Sequence, residues 1–192
     1  MFKKTTLALL TASLFISTSA LAISNNTITF RGEVSDETCS VAINGNQAKP
    51  VVILPTVSAK ELAKGGDVAG QVTFDIGLTG CTGNTDRATK ISTVFVGNQV
   101  TSNGNLGNTG DATNVEVQLL DTANKVINLT NGFKGEGDLQ LKPGETEASA
   151  TYTAQYYATG AASAGTVEAT LQYAVSCLLY TSPSPRDISG SR

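Results

Sequence analysis

Apolar and polar residues alternate with a period of two along most of the chain, the repeat that sends side chains to opposite faces of a β-strand. Ile28, Phe30, Gly32 and Val34 share one face, against Thr29, Arg31 and Glu33 on the other. Lys49 to Val57 holds a short apolar run, Val-Val-Ile-Leu, bounded by Pro50 and Pro55. Val72, Phe74, Ile76 and Leu78 alternate with Thr73, Asp75, Gly77 and Thr79, and this most regular stretch runs into Cys81. Ile91 to Val96 predicts another strand. Val115, Val117 and Leu119 mark the next, with Lys125 to Leu129 as its hairpin partner across Asp121-Thr122-Ala123-Asn124. Ala148, Ala150, Tyr152, Ala154 and Tyr156 form one face of a long strand. Val167, Ala169, Leu171, Tyr173 and Val175 form one face of the last.

Clusters of Gly, Asn, Thr and Asp separate these runs and predict turns. The longest, Gly97 to Asn114, reads as loop, and Lys142-Pro143-Gly144-Glu145 as a compact turn. Only Ser58 to Lys64 hints at helix, and then for a single turn. Short strands punctuated by turn signals predict an all-β sandwich of one domain, without an internal repeat.

The two ends break this pattern. Lys3 and Lys4 precede an apolar run from Leu7 to Ile16, and Ala20-Leu21-Ala22 supplies the small residues of a cleavage site. That order is the layout of a secretory signal peptide, residues 1–22, rather than of a core helix. At the other end, alternation stops after Ser176. The run Cys177 to Asp187 resembles the in-frame translation of a transposase adapter used in preparing sequencing libraries. Residues 177–192 are therefore read as non-native tail, against the alternative of a Pro/Ser-rich disordered end.

Composition narrows the chemistry. The chain has 192 residues, 40% hydrophobic and 15% charged, enough for a core. His is absent, which removes the commonest general base and metal ligand. Carboxylates are scattered, no glycine-rich loop joins a strand to a helix, and no aspartates have calcium-loop spacing. Neither a catalytic residue, nor a metal site, nor a cofactor is expected. The net charge is −3, more acidic once the two ends are trimmed, so nucleic acid is not an expected partner. Beyond the N-terminus no apolar run reaches the ~18 residues of a membrane span. Setting Cys177 aside leaves Cys39 and Cys81, which in an exported domain have one simple pairing. Two free buried thiols are the alternative. A bridge over that loop would contribute about 4 kcal/mol.

Taken in order, several of these pieces resemble the major subunits of type 1-like fimbriae, of the chaperone–usher class. Thr27 to Val34 followed by Cys39 is similar to that family's N-terminal extension and first strand. Phe74-Asp75-Ile76-Gly77-Leu78-Thr79-Gly80-Cys81 is similar to its second-cysteine strand, and Val115 to Asp121 to an interior strand and turn. Tyr152 to Gly160 and Val167 to Ser176 resemble its closing strands. One departure stands out. The family ends in a penultimate aromatic, and here Cys177 falls on the face of Tyr173 and Val175 where that residue is expected.

The resemblance implies an incomplete immunoglobulin-like β-sandwich (the pilin fold), spanning residues 35–176 and completed by a donor strand from another subunit. It implies that residues 23–34 are that donor, with Ile28, Phe30, Gly32 and Val34 facing the acceptor. Pattern alone leaves an ordinary first strand equally open for these residues. Leu171, Tyr173 and Val175 are the expected edge of the groove that chaperone and donor would occupy. Expected partners are other copies of the same subunit, a periplasmic chaperone and an outer-membrane usher, on a route through the periplasm to a cell-surface fimbrium. A minor adaptor subunit, or a secreted carbohydrate-binding module, is the alternative function. The short distance from residue 22 to Cys39 leaves no room ahead of the sandwich for a lectin domain.

Overall fold

The computed structural model describes residues 39–82 and 84–177. The expected signal peptide, the donor residues Ile28, Phe30, Gly32 and Val34, and the tail beyond Cys177 lie outside them. Among the described residues eight strands form two antiparallel sheets: β1 (Ser40–Ile43), β2 (Val68–Thr79), β3 (Thr89–Gly97), β4 (Leu106–Gly107), β5 (Val115–Leu120), β6 (Phe133–Leu141), β7 (Ala148–Ala158) and β8 (Leu171–Cys177). One sheet has the order β1-β2-β7-β5-β4 and the other β6-β3-β8.

The alternating faces meet between the sheets. Phe74, Ile76 and Leu78 of β2, Ile91 and Phe95 of β3, Val117 and Leu119 of β5, Leu139 and Leu141 of β6, and Tyr152 and Ala154 of β7 are buried together. At their centre Tyr152 meets Phe95 edge-on at 5.0 Å between ring centroids and stacks on Phe74 at 5.8 Å. A smaller cluster of Leu62, Ala112, Val115 and Ala158 closes one end. Leu62 is delivered by a 3-10 turn, Ala59–Leu62, whose start Ser58 and Glu61 cap reciprocally. A disulfide joins Cys39 to Cys81, 42 positions apart, beside the β1–β2 pair.

The structure departs from the sequence pattern at six places, one of them the last strand, which starts only at Leu171 and leaves Val167 and Ala169 ahead of it. Residues 50–57 form no strand, because the prolines interrupt donation and no strand among the described residues lies alongside. The 97–114 loop contains the short strand β4, paired to β5. Strand β1 was not marked by the pattern, being too short to show a period. Strand β6 was also unmarked, since Gly135 and Gly137 dilute its alternation. The 125–129 hairpin partner is reduced to one bridge, Val126 opposite Leu120. Its turn still forms as expected: Asp121 Oδ1 accepts from the Ala123 and Lys125 N–H groups, both at 2.9 Å.

Both faces of β5 are buried. Val117 and Leu119 enter the core, while Glu116 and Gln118 lie under the 97–114 loop. There the Glu116 carboxylate accepts from Asn105 Nδ2 at 2.9 Å and from Asn103 Nδ2 at 3.2 Å. Gln118 Oε1 accepts from Gln155 Nε2 at 2.7 Å, and Gln155 Oε1 from Gln71 Nε2 at 2.6 Å. A carboxylate and amides this deep need such partners to offset their lost hydration.

Candidate functional site

The β6-β3-β8 sheet stops at β8. This strand pairs along one edge with β3, from Leu171 opposite Gly97 to Cys177 opposite Ile91, and no second strand among the described residues pairs with it. Beside that edge the sandwich is open. A cleft of about 390 Å³ runs between residues 50–54 on one side and residues 167–173 on the other. Phe74, Phe95, Val117, Leu119 and Ala154 floor it.

The two walls are built differently. Residues 163–170 are held from behind by the 108–113 loop. The Thr109 N–H donates to the Glu168 carbonyl at 2.8 Å, the Ala112 N–H to the Thr166 carbonyl at 3.0 Å, and the Glu168 N–H to Asn108 Oδ1 at 2.8 Å. This approach needs glycine: a Cβ at Gly165 would stand 2.5 Å from the Ala112 nitrogen. Opposite, residues 51–57 make no backbone hydrogen bond among the described residues. Val52 and Leu54 face the cleft, whereas Val51 and Ile53 are 76% and 80% exposed. Backbone groups left unpaired beside an apolar surface make a template for an added strand.

Each residue expected at the groove edge is on this strand. Leu171 and Tyr173 line the cleft, and Val175 packs half-buried against the core beyond it. Val167 and Ala169 extend the same row upstream of β8. The 50–54 wall was not anticipated as part of the site. Its signal was present, an apolar run fenced by two prolines, but that run read as another strand.

A half-buried carboxylate, Asp138, lies beside Tyr152 of the core. The Asp138 carboxylate accepts from the Thr93 N–H at 3.0 Å and from the Tyr152 hydroxyl. It turns inward because β6 carries three residues opposite Ser92, with the Ser92 hydroxyl accepting from the Gly137 N–H at 3.2 Å. Burial pushes its carboxyl above the ordinary range, more than its hydrogen bonds lower it. Among the described residues no group of His, Cys, Asp and Glu is placed to hold a metal ion. No helix among them is long and apolar enough to cross a membrane.

The sequence profile of the fimbrial protein family matches residues 28–177. The chain belongs to that family. It is 38% identical to the F17 fimbrial protein of Escherichia coli, over 83% of this chain and 91% of that one. It is 37% identical to the major fimbrial subunit SMF-1 of Stenotrophomonas maltophilia, over 79% and 91%. The solved subunit of a chaperone–usher pilus rod superposes with a TM-score of 0.53 at 20% identity, over 84% of this chain and all of that one. This last likeness concerns the fold, an immunoglobulin-like pilin sandwich. The chain is thus a structural, non-enzymatic fimbrial subunit, and its place is in a fimbria at the cell surface.

Proposed function

We propose that the cleft takes up residues 23–34 of another copy as an added strand, and that this exchange builds the rod of the fimbria. What supports the reading is one observation: among the described residues, no second strand lies along Leu171 to Val175 of β8 and residues 51–57 make no backbone hydrogen bond, and an apolar floor lies between the two. A strand laid between them would pair on both sides. Ile28, Phe30, Gly32 and Val34 form the row suited to the floor. Burying Ile28 and Phe30 alone would contribute about 3–6 kcal/mol, with backbone hydrogen bonds adding to it. Gly32 suits a shallow stretch where backbone approaches closely.

On this reading residues 1–22 direct export and are removed, a periplasmic chaperone fills the cleft until assembly, and an outer-membrane usher passes subunits to the surface. Cys39 and Cys81 hold the spacer end of the donor to the body. Residues 177–192 are on this reading a non-native tail, although the backbone of Cys177 continues the β8 ladder. Deleting residues 23–29 tests the reading. The shortened chain should bind the chaperone, fold, and still accept a donor, yet never give SDS-resistant multimers of itself. Normal fibres from this deletion would exclude the donor assignment.

A further inference from the structure

The wall of residues 50–54 has two faces, and strand addition uses only one. Val52 and Leu54 point into the cleft. Ile53 points away, does not line the cleft, and is the most exposed large hydrophobic side chain among the described residues, at 80%. Val51, at 76% exposed, sits on the same outer row at the cleft mouth. Two neighbouring β-branched side chains held out on a segment without backbone partners among the described residues are a poor surface for an isolated body. We propose that this outer row is a contact between the bodies of consecutive copies in the fibre, distinct from the strand contact inside the cleft.

The inference rests on the strand-addition reading and adds to it a constraint of chain length. Only residues 35–38 separate the donor segment from Cys39, which the disulfide fixes to its own body. Four residues span at most about 13 Å at ~3.3 Å each. Residues 50–54 along the cleft span roughly 16 Å by the same measure. A copy whose segment fills the cleft is therefore tethered with its body against one end of this wall. The outer row lies along that same short wall, and it is continuous with the cleft through Val51. A second copy of this chain is thus the occupant that the tether delivers there.

Alkylation of the full mature chain carrying Ile53→Cys tests this. Iodoacetamide labelling at position 53, mapped by peptide mass spectrometry, is compared in fibres and in monomers capped with excess synthetic peptide of residues 23–34. The exposed position makes the substitution harmless to the core, and hydroxyl-radical footprinting of the unsubstituted chain gives an independent reading at Ile53. Labelling should be roughly tenfold or more slower in fibres than in capped monomers, as expected for a site inside a packed protein contact. Equal rates in the two would overturn the proposal. Slow labelling in both would also overturn it, since the added strand alone would then cover the row. If the peptide does not cap monomers and no SDS-resistant fibres form, the strand-addition reading itself has failed, and this contact falls with it.

Discussion

The fixed wall of the cleft offers a quantitative test. Gly165 has no room for a side chain: a Cβ would lie 2.5 Å from the Ala112 nitrogen and 2.8 Å from its Cα. These are backbone atoms, so relief requires the 163–168 segment to move off the 108–113 loop. Gly165→Ala should therefore weaken the Ala112 N–H bond to the Thr166 carbonyl, the Asp111 N–H bond to Thr166 Oγ1, and the Thr166 hydroxyl bond to Asp111, each 3.0 Å long. At about 1 kcal/mol net per bond at this exposed site, the local loss is about 2–3 kcal/mol. The displaced residues include Val167, Glu168 and Ala169, which form the cleft wall. If most of that loss reaches the cleft, the Kd for a peptide of residues 23–34 rises roughly 10- to 100-fold. The assay is titration of labelled peptide into subunit released from chaperone. Gly144→Ala is the comparison, because a Cβ there meets nothing within 4 Å although its φ of +76° carries a local strain. It should lower stability by about 1 kcal/mol and leave the Kd within twofold. An unchanged Kd for Gly165→Ala would refute the claim that the 108–113 loop sets the cleft width.

Two further outcomes follow from the core and the disulfide. Replacing Cys39 and Cys81 together by Ser should lower the unfolding free energy by about 4 kcal/mol through the freed 42-residue loop. Denaturant unfolding of peptide-capped subunit, with and without reductant, measures it, and a loss under 1 kcal/mol would show the bridge to be nearly neutral. For Asp138, burial raises the folded-state value, so the folded protein holds the proton more tightly than the unfolded chain. Its stabilising contribution is then complete below the unfolded value near pH 4 and is lost as pH rises through the folded value. Urea midpoints should show wild type gaining on Asp138→Asn as pH falls from 7 to 4. A difference between the two that stays constant with pH would mean that Asp138 is not desolvated as described.

Most of the core was legible as alternation, because β2 and β8 set an inward face against an exposed one and β7 does so over its first half. Phe74, Ile76 and Leu78 could be assigned inward from their spacing alone, as could Leu171, Tyr173 and Val175. Strand β6 was hidden because its glycines serve the bulge that turns Asp138 toward Tyr152, and a bulge breaks the period it would be recognised by. Residues 50–57 were misjudged for the opposite reason. Their apolar run has the composition of a strand, but whether a strand forms depends on a neighbour, and among the described residues none lies there. The floor residues Val117, Leu119 and Ala154 were recognisable as buried positions, yet not as the floor of a cleft. Which edges stay unpaired is a property of the sheet order, and only the assembled topology reveals it. The hydrogen bonds around Glu116 were illegible for the same reason, since Asn103 and Asn105 reach it from a loop without any pattern of its own.

The central claim is that a segment of one copy lies in the cleft of another. A photo-crosslinking amino acid placed at Phe30 of the full chain, activated in assembled fibres, tests it most directly. The account predicts crosslinks between different copies, mapped to cleft residues such as Phe95, Val117, Leu119 and Leu171. Crosslinks confined to the same copy, or to surfaces outside the cleft, would contradict it.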